Sequence, residues 1–324
     1  YTKLGFRLPK VSGFVGLRIA GEDRKGSLGG GLGDFFRSGT ELLTSASLRY
    51  APARDHELSL THSSSYTRPS YRDLLGYTSI ASAAFRREGN SGLRTAYRRG
   101  LSLNYTYMRA AQLELSYTDT EDPIVEAIPP MYGGGITLRR YNLDYSRTLR
   151  ALLVLPLPLV SQKKFSWLAL TILAAQRQWD AGHIEMTDYS AALNTQFVQH
   201  RHSFSLPSDW TVDLGVTYYS GVLYELYRIQ RQWWLDASVS KRMGNLRATL
   251  SARDPFNTNI ARGSYNPEVN GLAFERNWHS PRLELTISYS WGKKSVKAQD
   301  TRARYDDLKR LTTGASEGMN TPAQ

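Results

Sequence analysis

Residues 283–291 read LELTISYSW, with an apolar side chain at every second position and a polar one in between. Side chains on a β-strand point to opposite faces in turn, so this stretch predicts a strand with one apolar and one polar face. The same alternation recurs at 101–107, 113–118, 210–218, 233–240 and 246–253. A helical period of 3.6 residues is nearly absent before residue 293, so the fold is predicted to be all-β.

The connections between the predicted strands alternate between short and long. Short polar joints lie at 52–55, 109–111, 161–164, 207–209 and 244–245, and long joints lie at 22–39, 69–92, 121–135, 181–187, 221–228 and 257–277. About twelve strands result, at 8–21, 40–51, 55–68, 93–108, 111–120, 136–160, 164–180, 188–206, 209–220, 229–243, 245–256 and 278–292. Short turns on one rim and long loops on the other are typical of outer-membrane barrels.

The sequence therefore predicts a transmembrane, antiparallel, up-and-down β-barrel over residues 1–292, in the outer membrane of a Gram-negative cell. Both termini are expected on the periplasmic side, where short turns lie in such barrels. A charged periplasmic tail is predicted over 293–324, with a short helix at 300–311 that Asp300 caps.

Composition excludes several classes of function. The chain has no cysteine, so it has no disulfide scaffold, thiol nucleophile or cysteine-ligated metal. No run of about 20 apolar residues is present, which excludes a transmembrane helix. The net charge is +12, from 41 Lys+Arg against 29 Asp+Glu, but most basic residues stand singly. This scatter favours a basic pore lining or contact with anionic lipid headgroups over nucleic-acid binding.

Aromatic residues favour a membrane barrel over a soluble β-protein, whose alternation would look the same. Tryptophans lie near predicted strand ends, where an interfacial girdle is expected: Trp167, Trp179, Trp210, Trp233, Trp278 and Trp291. Charged residues on the polar faces are typical of a wet lumen. The predicted lumen-facing residues are Asp213, Asp236, Arg247 and Arg253.

A catalytic or metal site is not predicted. The chain contains no G-x-S-x-G motif to position a serine nucleophile. His200 and His202 lie two residues apart on one strand face, but no third metal ligand is evident. We therefore expect no enzymatic activity, no cofactor and no bound metal.

The external loops are the predicted recognition surface, because loops on a rigid scaffold often carry binding residues. Aromatic and basic side chains at this rim suit a sugar, a chelate or a peptide, whereas the alternative is a girdle that only orders strand ends. The candidates are Tyr66, Arg68, Tyr71, Arg72, Tyr132, Trp179, His183, Tyr224, Tyr227 and Trp278.

Several short elements resemble the C-terminal barrel of TonB-dependent outer-membrane receptors, in the form common among Bacteroidetes. These elements are YTRPSY at 66–71, LPSDW at 206–210, LDASVSK at 235–241, DPFNT at 254–258 and the last strand at 283–292. The chain differs from the family pattern at Pro255, where isoleucine is usual.

The resemblance implies uptake of an unidentified nutrient through a lumen that a plug domain fills, with TonB supplying energy from the periplasm. Receptors of this kind have about 22 strands, so the resemblance implies that the chain is the C-terminal part of a longer barrel. Two alternatives stay open. One is a self-contained small pore or structural barrel without TonB coupling, and the other is a soluble β-protein that binds an acidic partner.

Overall fold

The computed structural model describes residues 1–26, 35–75, 78–82, 85–128, 136–185, 187–265, 272–277 and 281–291. Nearly all of these residues lie in β-strands. The strands are β1 (Thr2–Arg7), β2 (Val11–Gly26), β3 (Phe35–Ala53), β4 (His56–Thr67), β5 (Thr78–Ser82), β6 (Phe85–Glu88), β7 (Ala96–Tyr107), β8 (Ala111–Glu121), β9 (Ile124–Ala127), β10 (Ile136–Asn142), β11 (Tyr145–Ser161), β12 (Ser166–Ile184), β13 (Thr187–Leu206), β14 (Trp210–Tyr224), β15 (Tyr227–Met243), β16 (Leu246–Arg253), β17 (Ile260–Tyr265), β18 (Ala273–Asn277) and β19 (Arg282–Tyr289).

Helical structure in these ranges consists of α1 (Tyr71–Leu74) and a 3₁₀ turn at Pro207–Asp209. Neither is long and apolar enough to cross a membrane. The predicted tail at 293–324, with its helix at 300–311, lies outside the described residues.

One sheet contains fifteen of the described strands, and thirteen of them follow one another in the order β1-β2-β3-β4-β7-β8-β11-β12-β13-β14-β15-β16-β19. Every pair along this path is antiparallel, which confirms the predicted all-β antiparallel architecture. The predicted count of about twelve missed β1, because six residues with two apolar side chains give a weak alternation. Within the described residues the path ends at β1 and β19, each of which pairs with one neighbour.

The five predicted short turns are confirmed. They join consecutive strands at 54–55, 108–110, 162–165, 207–209 and 244–245. Residues with positive φ occupy three of them: Met108, Arg109, Ser208, Asp209 and Gly244. Such left-handed residues match the twist of the flanking strands in tight hairpins. Because strand direction alternates, all five turns lie at one edge, the short-turn rim, and the opposite edge is the long-loop rim.

Several predicted segments at the long-loop rim were wrong. The joint predicted at 257–277 contains β17 and β18, and β2 and β3 extend into the joint predicted at 22–39. The single strand predicted at 136–160 divides into β10 and β11, which belong to different sheets. The long joints predicted at 181–187 and 221–228 are mostly the ends of strands: β12 runs to Ile184 and β13 begins at Thr187, and β14 and β15 are joined at Glu225–Leu226. A Cβ added at Gly182 would lie 2.6 Å from Leu143 Cα, so this glycine permits close packing instead of marking a loop.

A second sheet packs at the long-loop rim, in the order β5-β6-β10-β9. β5, β6 and β9, together with α1, occupy parts of the joints predicted at 69–92 and 121–135. Between this sheet and the extended hairpins lies the rim core, which consists of Val125, Ala127, Ile128, Tyr141, Leu143, Ile184, Tyr189, Leu226 and Tyr265. The described parts of these connections are therefore folded and not a set of independent loops.

The main sheet has a polar and an apolar face. Polar side chains from β4, β7, β8, β11 and β12 line one hollow of about 510 Å³, which requires the sheet to curve around it. We call this concave side the polar face. On the apolar face, large hydrophobic side chains remain exposed, including Leu103, Leu115, Leu214, Leu250 and Leu285. This arrangement reverses that of a soluble protein, where such residues are covered.

Candidate functional site

The largest described hollow lies on the polar face of β12 to β16 and β19 and has a volume of about 1050 Å³. Three of the four predicted lumen residues line it: Asp213, Asp236 and Arg253. Register places them on one face, because Asp213 lies opposite Ser238 and Asp236 opposite Arg253. Arg247 is on the same face of β16 but lies nearer the short-turn rim, outside the lining.

Charges of both signs converge in this hollow. Arg201, Arg253 and Arg282 line it together with Asp213, Asp236 and Asp254. The Asp213 carboxylate accepts a hydrogen bond from Ser238 Oγ at 3.2 Å, and Asp236 Oδ1 accepts one from the backbone N–H of Asp254 at 3.2 Å. Such a wall can contact a hydrated or zwitterionic surface, because its guanidinium groups donate hydrogen bonds and its carboxylates accept them.

The DPFNT element at 254–258 directly follows β16, and its Asp254 lines this hollow. Asp254 is 2% exposed and has a φ of 41°. Its carboxylate accepts hydrogen bonds from Thr258 N at 2.8 Å, Thr258 Oγ1 at 3.0 Å and Asn259 N at 3.1 Å. Aspartate at this position therefore stabilises a tight turn, which explains the aspartate of the motif by its structural role.

Three rim candidates come together next to a third hollow, of about 530 Å³. The guanidinium of Arg68 lies 4.4 Å from the ring centroid of Tyr66 and forms an ion pair with Glu22. Tyr71 begins α1, and its ring centroid lies 5.2 Å from the Arg24 guanidinium. Arg68 Nη2 is buried and has no hydrogen-bond partner among the described residues. Arg68 therefore retains donor capacity at the rim.

This hollow occupies a seam between β3 and β4. The ladder between these strands ends toward the long-loop rim at Ser45 and Ser63, although β3 continues beside β2 and β4 beside β7. Side chains bridge the seam: Tyr97 donates a hydrogen bond to Glu41 at 2.5 Å, and Ser64 Oγ donates one to Thr44 O at 3.0 Å. At the seam, side-chain hydrogen bonds, and not a backbone ladder, connect β3 to the neighbouring strands.

The remaining rim candidates do not join this cluster. His183 lies near Asp144 and Asp188, at 3.4 and 3.0 Å, and Tyr224 is exposed at the tip of β14. Tyr227 packs against Tyr265 and Phe274, with ring centroids 5.3 and 5.7 Å apart, so it is structural. Arg72 lies exposed in α1. Trp179 and Trp233 lie well inside β12 and β15, because these strands extend beyond the predicted ends.

Tyr132 and Trp278 lie outside the described residues. Among the residues that are described, no group of three His, Asp or Glu side chains is placed to hold a metal ion. His200 and His202 do share a face, but Thr171 Oγ1 bonds to His200 at 2.8 Å and Trp167 Nε1 donates to His202 at 2.9 Å. Their ring nitrogens thus find partners within the wall.

Sequence reasoning missed the groups buried at the rim core. Glu225 Oε2 accepts the backbone N–H of Glu126 at 3.0 Å, and burial raises the pKa of the Glu225 carboxyl. Burial likewise raises the pKa of Tyr265 to about 12, and its hydroxyl accepts the Ile128 N–H at 2.8 Å. No local pattern marks these residues, because their surroundings come from strands far apart in sequence.

A model of the outer membrane protein beta-barrel family matches residues 1–289. Among solved structures, a mutant of the ferric enterobactin receptor of Pseudomonas aeruginosa in complex with enterobactin is similar, with a TM-score of 0.56 and 14% identity. The match covers 88% of this chain and 44% of the receptor chain. The same receptor in complex with BCV-L6 matches equally, with a TM-score of 0.56, 14% identity and the same two coverages.

At this identity the likeness concerns the fold. The chain spans less than half the length of the receptor chains that it matches. No curated protein matches the sequence.

Proposed function

Because the chain belongs to the outer membrane protein beta-barrel family, we propose that it forms part of the wall of an outer-membrane receptor that takes up a nutrient through a plugged lumen. The observation that carries the proposal is the hollow of about 1050 Å³, where charges of both signs line one concave face across six strands. Membership in an outer-membrane family removes the soluble interpretation.

In this proposal the polar face is the lumen wall. Asp213, Asp236 and Arg253, with Arg247 below them, would contact the plug domain or the passing solute. Paired charges of both signs suit reversible contacts with a polar domain, because each contact broken can be replaced by water or by another partner. Periplasmic TonB would supply the energy, and no catalytic step or cofactor is part of the proposal.

The rim cluster of Tyr66, Arg68 and Tyr71 is the proposed first contact for the solute. The Arg68 guanidinium over the Tyr66 ring and the Arg24 guanidinium near the Tyr71 ring offer stacking and hydrogen bonding together. Arg68 Nη2 has no hydrogen-bond partner among the described residues, which supports this assignment. The bacterial group of origin stays a prediction from the resemblance.

The edges β1 and β19 support a larger barrel. Every residue in both strands is exposed, and each strand has one ladder partner among the described residues. An unpaired strand edge in a membrane leaves N–H and C=O groups without partners, which costs several kcal/mol per group. Further strands between β1 and β19 would satisfy these groups.

Conductance in a planar lipid bilayer tests the proposal. The native polypeptide, purified from outer membranes, should give no steady ionic conductance, since a plug blocks the lumen. A steady open conductance from the untreated protein would instead support the self-contained small pore. Arg68→Ala should leave this result unchanged, because the residue lies at the rim.

A further inference from the structure

The apolar face of β7, β8, β11 and β12 changes composition abruptly toward the long-loop rim. Cross-strand register defines three successive rows, each about 7 Å from the next. The first contains Leu103, Leu115, Ala151 and Ala175, the second Leu101, Tyr117, Leu149 and Arg177, and the third Arg99, Asp119, Arg147 and Trp179. Arginine thus replaces leucine within two rows.

The leucine rows are exposed and not covered by any other described element. Leu101 is 49% exposed, Leu115 46% and Leu149 52%. Apolar side chains at this exposure in a barrel wall are covered by lipid acyl chains. Arg99 and Arg147 in the third row, with Arg177 at the edge of the second, therefore lie at the depth where acyl chains end and headgroups begin.

Three arginines lie at this level, Arg99, Arg147 and Arg177, and two of them are paired with carboxylates. Arg99 Nη1 donates to Glu121 Oε1 at 3.0 Å, and Arg147 Nε donates to Asp119 Oδ1 at 2.9 Å. Arg177 forms no ion pair with any residue that the structure describes. Three cations against two carboxylates leave a charge of +1 on this patch, and each guanidinium has five N–H donors, so several stay free for another acceptor.

Aromatic rings lie next to the arginines of the third row. The guanidinium of Arg147 lies 4.3 Å from the ring centroid of Tyr145, and Trp179 lies directly opposite Arg147 in the ladder. Tyrosine and tryptophan are enriched at membrane–water interfaces, where their rings sit at headgroup level. The position of these rings agrees with the depth that the leucine rows indicate.

We propose that Arg99, Arg147 and Arg177, the arginine patch, bind the phosphate groups of a membrane lipid headgroup, while its acyl chains cover the leucine rows. The planar fork of arginine matches phosphate oxygens, and hydrogen bonds between charged groups are the strong ones. The proposal depends on the membrane placement of the sheet and not on transport, so it stands or fails separately from the proposed uptake.

Binding of lipid A, with its two phosphates or after their enzymatic removal, tests the arginine patch. The native protein in detergent should bind the phosphorylated form more tightly by about tenfold or more, which corresponds to about one charge-assisted hydrogen bond. The triple variant Arg99→Gln, Arg147→Gln, Arg177→Gln should lose this preference.

The matched control changes three arginines on the opposite, polar face: Arg98→Gln, Arg150→Gln and Arg201→Gln. It removes the same charge and should keep the preference. If the triple patch variant fails to assemble, Arg177→Gln alone breaks no described ion pair and should show a partial loss.

Three results would overturn the proposal. One is equal binding of both lipid forms by the unaltered protein. The second is an unchanged preference in the patch variants, or an equal loss in the control. The third is displacement of lipid A by millimolar inorganic phosphate, since a free anion site would then replace the lipid surface.

Discussion

Glu225 places a carboxyl group beside the apolar rim core at the tip of the β14–β15 hairpin. Its neighbours include the Glu126 carboxylate and the guanidinium groups of Arg87 and Arg140. Burial raises the pKa of Glu225 above the ordinary value of 4.5. The hydrogen bond from the Glu126 N–H and the nearby arginines lower this pKa, but by less than burial raises it. Asp180 at the end of β12 shows a shift in the same direction, also from burial.

The sign of the pH effect follows from this shift. The folded state holds the Glu225 proton more tightly than the unfolded state, so folding stability falls as the pH rises above 4.5 toward the folded-state pKa. Glu225→Gln should abolish its part of this fall, because the amide oxygen still accepts the Glu126 N–H. Hydrogen-exchange protection of β9, corrected for intrinsic rates, measures the effect as a function of pH.

Glu275→Gln serves as the control, because Glu275 is exposed in β18 and pairs with exposed Arg262. Exposed pairs of this kind contribute about 0–1 kcal/mol. If Glu225→Gln and Glu275→Gln gave the same pH profile as the unaltered protein, the raised pKa of Glu225 would be wrong.

At the scale of single strands, alternation predicts the facing of neighbouring residues. Leu250 lies opposite Val239 and Leu285 on the apolar face, whereas Thr249 lies opposite Ser240 and Thr286 on the polar face. Leu250→Asp should reduce the assembled fraction in outer membranes, since a carboxylate facing lipid costs up to about 2 kcal/mol. Thr249→Asp should assemble like the unaltered chain. Equal damage from both changes would contradict the facing assignment.

The strands and short turns could be predicted from the sequence because their signals are local. The alternation at 246–253 and the LPSDW turn at 206–210 both depend on neighbours within a few residues, and both lie where predicted. The rim core could not be predicted, because Tyr265 bonds to Ile128 across 137 residues. The joint at 181–187 was wrongly predicted for the same reason: Gly182 packs against Leu143, which lies 39 residues earlier, between β10 and β11.

The candidate site was predicted in part. Asp213, Asp236 and Arg253 lie in strands whose side chains alternate between polar and apolar, so the sequence could predict that all three are on the polar face. The structure adds the hollow that they share. Arg68 was a rim candidate, but its partner Glu22 comes from β2, which no local pattern connects to β4. Long-range pairing therefore determines which rim residues meet.

At the scale of the whole molecule, the two rims should face opposite sides of the membrane. Residues 1–324 contain no cysteine, so a single introduced cysteine is the only thiol in this part of the polypeptide. Tyr224→Cys at the long-loop rim, where Tyr224 is 61% exposed, should react with an impermeant maleimide on intact cells. Arg109→Cys at the short-turn rim should react only after lysis. The reverse pattern would invert the predicted orientation, with its periplasmic short turns.

The intact mass of the native polypeptide from outer membranes tests the receptor proposal most directly. The 324 residues have a mass of 36.6 kDa, and the chain covers 44% of the receptor that it resembles. The proposal predicts a native mass at least about twice that value, because plug and further strands would belong to the same polypeptide. A native mass near 36.6 kDa would contradict the plugged receptor and favour the self-contained small pore.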